Sequence, residues 1–253
     1  MNFCCPNCGR AEEILVDRHP LCMQCRVEMI PASDYSELWM SPYVAVTRMK
    51  VTNETHGTDA ARTHGRFKKE REAWTTGMFA LALAKLLHQE FWVEIETIEN
   101  TPDTKLRHID QRKGHNTIET RNIEIVDWDE HVDHITKVIR KKCQRAYPPD
   151  YFLLVHARSG KRLDFDQVIE EVKKMRSPFF EIWILARILG DNPLDLQDNM
   201  IAIRVTPPPV LRIDFDIRTE LGKARKQNPF LHKRKRGTSI EFKDLGPAYL
   251  PIP

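Results

Sequence analysis

Two Cys-x-x-Cys pairs, Cys5-Pro-Asn-Cys8 and Cys22-Met-Gln-Cys25, lie thirteen residues apart in a stretch that holds five of the six cysteines. A turn of this kind delivers two thiolates from one tight loop. Tetrahedral zinc needs four soft ligands at about 2.3 Å, so the spacing predicts a structural zinc on Cys5, Cys8, Cys22 and Cys25. Gly9 suits the left-handed residue that closes the first turn. A module of about thirty residues has too little core to fold without such a staple. Cys4 reads as a substitute ligand or a spare thiol, and His19, three residues before Cys22, as a competing ligand or, by the more frequent reading, a solvent-exposed loop histidine.

Elsewhere the reactive side chains are scattered. His131 and His134 stand three apart, and His108 and His115 flank a hairpin signal, but neither pair has an evident third ligand. Cys143 follows Lys141-Lys142 and reads as a buried thiol. Gly-x-Ser-x-Gly, a phosphate-cradling glycine loop and a dinucleotide fingerprint are all absent. One basic segment stands out: Lys223, Arg225, Lys226, Lys233, Arg234, Lys235 and Arg236, with no acid between Glu220 and Glu241. Without these seven, 32 bases face 36 acids and the net +3 becomes −4. With Phe230 and His232 inside it, the segment is suited to nucleic acid: bases neutralise phosphates and the aromatic stacks on a nucleobase.

The 253 residues are 41% hydrophobic and 30% charged, a globular composition that excludes disordered and fibrous classes. The longest apolar run, Gly77 to Leu87, is about half the length of a membrane-spanning helix and is broken by Lys85, so no membrane partner is expected. The start, Met-Asn-Phe-Cys-Cys-Pro, lacks a secretory pattern. The expectation is an intracellular, reducing compartment, cytoplasmic or, in a eukaryote, nuclear.

Residues 31–66, punctuated by Pro31, Pro42, Gly57 and Gly65 around one strand-like run, Tyr43 to Thr47, read as a linker or arm. From Phe67 the periods alternate. A buried helix over 67–89 is followed by strands at 91–98, 104–109 and 118–128, then a helix over 129–145, acidic at its start and basic at its end. A strand at 151–157, a helix at 165–175 and a strand at 180–188 follow, with a closing pair at 200–205 and 210–217 around Pro207-Pro208-Pro209. This is an α/β pattern: a mixed sheet flanked by helices.

Residues 3–30 resemble a zinc ribbon. The order helix, three strands, helix, strand resembles the restriction-endonuclease-like core of the PD-(D/E)xK nuclease superfamily over residues 67–188. The residues that carry the likeness are Pro102-Asp103 at the start of the second strand, Glu124 within Ile123-Glu124-Ile125-Val126 on the third, and Glu70 or Glu72 on the leading helix. The resemblance implies a phosphodiesterase in which Asp103 and Glu124 bind Mg²⁺ or Mn²⁺, Glu72 assists, and DNA is the substrate. Hard Mg²⁺ is held by one or two carboxylates, with water and phosphate filling the rest of the shell. Because restriction-like nucleases often dimerise to cut two strands, a homodimer is also implied.

The family's lysine belongs two residues after the second acid, where this chain has Val126. Ile118-Glu119-Thr120-Arg121 supplies an acid-x-base triplet, but arginine acts only as a phosphate clamp. The alternatives are Lys105, or the following helix, where Lys137 and Lys141 share a face, with Lys141 the catalytic candidate. The expected organisation is a zinc ribbon over 1–30, a linker over 31–66, a restriction-endonuclease-like domain over 67–220 and a basic arm over 221–253. Two functions follow: a metal-dependent DNA nuclease, or a catalytically inactive module of the same fold that binds nucleic acid or protein.

Overall fold

A computed structural model describes residues 3–4, 11–12, 38–95, 102–110, 117–188, 198–227, 230–236 and 239–244. The four expected zinc ligands lie outside the described residues. At the start of the chain, β1 (Phe3–Cys4) and β2 (Ala11–Glu12) pair antiparallel, with Cys4 opposite Ala11.

The rest is one mixed sheet. In chain order its strands are β3 (Leu38–Met40), β4 (Phe91–Ile95), β5 (Thr104–Asp110), β6 (Thr117–Trp128), β7 (Tyr151–Ala157), β8 (Glu181–Arg187), β9 (Asn199–Thr206), β10 (Leu211–Asp216), β11 (Phe230–Arg236) and β12 (Ser239–Asp244). The spatial order is β10-β9-β8-β7-β6-β5-β4-β3-β11-β12. Among the described strands only β6–β7 and β7–β8 are parallel. Each of these links carries a helix, α4 (Ile135–Cys143) before β7 and α5 (Phe165–Lys173) before β8, as parallel neighbours require. The other helices are α1 (Pro42–His56), α2 (Thr58–Thr63), α3 (Lys68–Leu87) and α6 (Ile217–Ala224).

Strand alternation divides the core in two. Ile123, Leu154, Trp183 and Ala202 face one side, where Val44 and Ala45 of α1 and Met78, Phe79 and Ala82 of α3 cover them. Trp128, Leu153, Val155, Ile184 and Ile203 face the other, under Ile135 and Ile139 of α4 and Val168, Ile169 and Val172 of α5. On β6 this parity sends Ile123 and Ile125 towards α3, and Glu124 and Trp128 towards α4. No helix among the described residues is long and apolar enough to cross a membrane.

The strand boundaries from 91 to 216 lie close to those expected, whereas three expectations fail. Residues 38–66 are not a linker: β3 joins the sheet, and Tyr43 to Thr47 lie inside α1, not in a strand. Pro42 stands in the first turn, the Ser41 side chain accepts from Val44 N at 3.3 Å, and α1 buries Val44, Ala45, Val46 and Met49. Burial against α3 overrides the β-propensity of Val44, Val46 and Thr47. The helix expected over 129–145 begins only at Ile135, because Asp129 accepts from His131 N at 2.9 Å and turns the chain first. Its basic end, Arg140, Lys141 and Lys142, stands as expected. Residues 221–253 are not wholly an arm: Lys223 is in α6, and Lys233, Arg234, Lys235 and Arg236 are on β11, which pairs with β3 and β12.

Candidate active site

The ladder between β5 and β6 ends at Thr104↔Ile123, which leaves Asp103 and Glu124 as the next opposed positions. Asp103 Oδ2 accepts from the backbone N–H of Ile125 at 2.8 Å, which ties the start of β5 to β6. The two acids named from the sequence are thus brought together at one end of a two-strand ladder.

Glu124 is buried and faces α4, where an apolar side chain would be ordinary. Its Oε1 accepts from Lys142 Nζ, in an ion pair, and from Tyr147 Oη at 3.1 Å, while Oε2 is buried and has no hydrogen-bond partner among the described residues. Burial and the Glu124 carboxylate push the Tyr147 hydroxyl up to about 12, so it stays a donor. Lys142 is the cation that sequence reasoning missed. Lys141 is exposed, Lys137 pairs with Asp133 at 2.8 Å, Lys105 lies 3.9 Å from Glu94, and Arg121 packs over the rings of Phe91 and Phe152. The signal was in the helix period: Ile135 and Ile139 are buried, and Lys142 continues that stripe at i, i+4, i+7, whereas Lys137 and Lys141 lie on the solvent side.

From the other face α3 supplies a third carboxylate. Glu72 is 5% exposed, 3.3 Å from Lys68 and 2.9 Å from Lys69, and Lys68 also reaches Asp103 at 3.8 Å. Burial, and then the Asp103 charge, raise the Glu72 carboxyl above the usual carboxylate range against the pull of the two lysines. Burial works to lower Lys68, but Glu72, Asp103 and Glu124 outweigh it and hold the ammonium above its ordinary value. Glu70 points elsewhere, 3.5 Å from Arg48.

Among the described residues no three His, Cys, Asp or Glu side chains converge closely enough to hold a metal ion by themselves. Of the histidines, His134 stands at the N-cap position of α4, His131 is exposed and His108 Nδ1 donates to the Glu90 carbonyl at 2.9 Å, while His115 lies outside the described residues. Cys143 is half-buried, and burial raises its thiol pKa. Chemically, then, the cluster offers two opposed carboxylates, a buried third, and three lysines that can meet an anion. No family model, no curated protein and no solved structure matches the chain.

Proposed function

We propose that the chain is a metal-dependent nuclease of restriction-endonuclease-like fold that hydrolyses phosphodiester bonds in DNA. The observation that carries the reading is Lys142 on Glu124, opposite Asp103, within the order α3-β4-β5-β6-α4-β7. The lysine missing at position 126 thereby has a replacement from the next helix, reaching the same carboxylate.

Asp103 and Glu124 would hold Mg²⁺ or Mn²⁺. Both offer hard oxygens, and Oε2 of Glu124, without a hydrogen-bond partner among the described residues, is an available donor. Two carboxylates suffice for an ion that keeps water and phosphate in its remaining positions. When bound, the ion polarises the phosphate and lowers the pKa of an attacking water. Lys142 and Tyr147 fix the Glu124 carboxylate, Asp103 is fixed by the Ile125 amide, and Lys68 stands where it can offset charge on a phosphate. Zinc on Cys5, Cys8, Cys22 and Cys25 belongs to the same proposal and rests on their spacing. The bases from Lys223 to Arg236 supply sequence-independent attraction to DNA.

One observation favours the alternative, a binding module of the same fold without turnover: every acid of the cluster already has a lysine partner. Nicking of supercoiled plasmid with Mg²⁺ or Mn²⁺ separates the two. The nuclease reading expects the parent to nick and Asp103→Ala and Glu124→Gln to be inactive. It also expects Lys142→Met to lose about 10²-fold, in line with removal of one electrostatic stabiliser. Equal rates for Asp103→Ala and parent would sink the enzyme.

A further inference from the structure

A second cluster of charged side chains gathers on the α3 face of the sheet, where β6 and β7 end. Asp127 and His156 are partners in the parallel ladder. His156 Nδ1 donates to Asp127 Oδ1 at 3.2 Å, and Arg158 Nη1 donates to Oδ2 at 3.0 Å, so both carboxylate oxygens are occupied. Trp74, on α3, packs against the His156 ring with centroids 5.2 Å apart. Three residues earlier on α3, Arg71 Nη1 donates to the carbonyls of Ala61 at 3.0 Å and His64 at 2.9 Å, which holds its guanidinium in place.

The charges around this point do not cancel. Arg71 and Arg158 lie near enough to repel, and burial together with Arg158 lowers the Arg71 pKa despite Asp127 and Glu72. Asp127 is the carboxylate at the centre; burial would raise its pKa, but His156 and Arg158 outweigh that and hold it below the usual range. The other two acids in range are engaged, Glu70 with Arg48 and Glu72 with Lys68 and Lys69. Two fixed guanidiniums around one engaged carboxylate leave a surplus of N–H donors for an incoming anion, with the His156 ring, whose Nδ1–H is spent on Asp127, beside them. Planar guanidinium forks match phosphate oxygens. The carboxyl ends of parallel strands are where open α/β sheets take ligands. The groups remain reachable: the side chains of Asp127, Arg158 and His156 are 38%, 20% and 14% exposed.

We propose that Arg71 and Arg158 form a binding site for a phosphate monoester, oriented by Asp127 and walled by His156 and Trp74. The phosphate can be borne by the end of a nucleic-acid strand or be free phosphate. Only the first source rests on the reading given under Proposed function; the site itself needs neither metal nor cleavage.

Binding in EDTA tests it, using matched single-stranded oligonucleotides with a 5′-phosphate or a 5′-hydroxyl, and inorganic phosphate alone. A strand-end site gives the parent about a tenfold preference for the phosphorylated oligonucleotide, the worth of one charge-assisted contact. Arg158→Ala and the milder Arg71→Lys and Arg158→Lys lose that preference, whereas Asp103→Ala keeps it even if nicking by the parent was never seen. Saturable binding of inorganic phosphate that disappears in Arg158→Lys, without an oligonucleotide preference, supports the site with free phosphate as its ligand. The site is overturned if the parent neither prefers the phosphorylated strand nor binds phosphate. Variants that melt like the parent and bind phosphate as well as it does overturn it too.

Discussion

Glu72 is held where its own charge is disfavoured, and that has a thermodynamic sign. Burial and Asp103 raise its folded pKa above the ordinary value of about 4.3 in an unfolded chain. The folded state therefore binds the proton more tightly, and stability falls as pH rises from the unfolded pKa through the folded one. Glu72→Gln removes the titration. In metal-free buffer at pH 7 it should melt above the parent, with the gap closing as pH falls below about 4, where Glu72 of the parent is protonated in the folded and the unfolded chain alike. A gain of about 1 kcal/mol corresponds to about 2–4 °C for a chain of this size. A variant less stable than the parent at neutral pH would show that Lys68 and Lys69 outweigh burial. At this scale Asp103, Glu124 and Glu72 were legible in the sequence as an acid after proline, an acid between apolar neighbours and a helix acid. Lys142 was overlooked although the spacing carries it: Lys137 and Lys141 share a face, whereas Ile135 and Ile139 mark the inward stripe that Lys142 continues.

At the scale of elements, the crossing of α1 over α3 explains why the stretch after Leu38 cannot be an arm. Gly77 lies in the middle of α3, and a Cβ there would meet Ala45 Cβ at 3.0 Å and Val46 Cγ2 at 3.2 Å. Helix propensity alone favours alanine over glycine by about 1 kcal/mol. The contact opposes it, because Ala45 Cβ is fixed to its backbone and cannot swing aside. Gly77→Ala should therefore lower the denaturation midpoint, and Ala45→Gly should recover part of the loss in the double variant although it weakens α1 on its own. A midpoint above the parent's for Gly77→Ala would mean that the helices are not in this register. The strands from 91 to 216 were readable because each is bounded by a turn or a change of period. α1 was not, since Tyr43 to Thr47 carries β-branched residues whose helical state is decided by Ser41, Pro42 and the face of α3 they cover. Nor was α6, whose eight residues follow β10 directly after the cap at Asp216.

Across the whole molecule, the seven bases that turn a net −4 into +3 do not hang from the chain as one tail. Lys223 lies on α6, Arg225 and Lys226 follow it, and the other four sit on a strand that enters the main sheet beside β3. β11 contributes to the core: Leu231 is 3% exposed and packs with Trp39 and Trp92, opposite Trp39 in the ladder. Charge and stability are therefore coupled in this region. Removing a solvated tail changes affinity for a polyanion and its salt dependence but leaves folding alone. Ending the chain at Gln227 removes β11 and exposes the β3 edge, which invites association through unpaired backbone groups. Leu231→Ala tests this without changing any charge. A buried leucine truncated to alanine costs about 2–5 kcal/mol, so the variant should unfold at clearly lower denaturant while the DNA affinity we propose, per folded molecule, stays that of the parent. If its denaturation curve instead overlays the parent's, β11 is dispensable to the fold and the basic segment reverts to an arm.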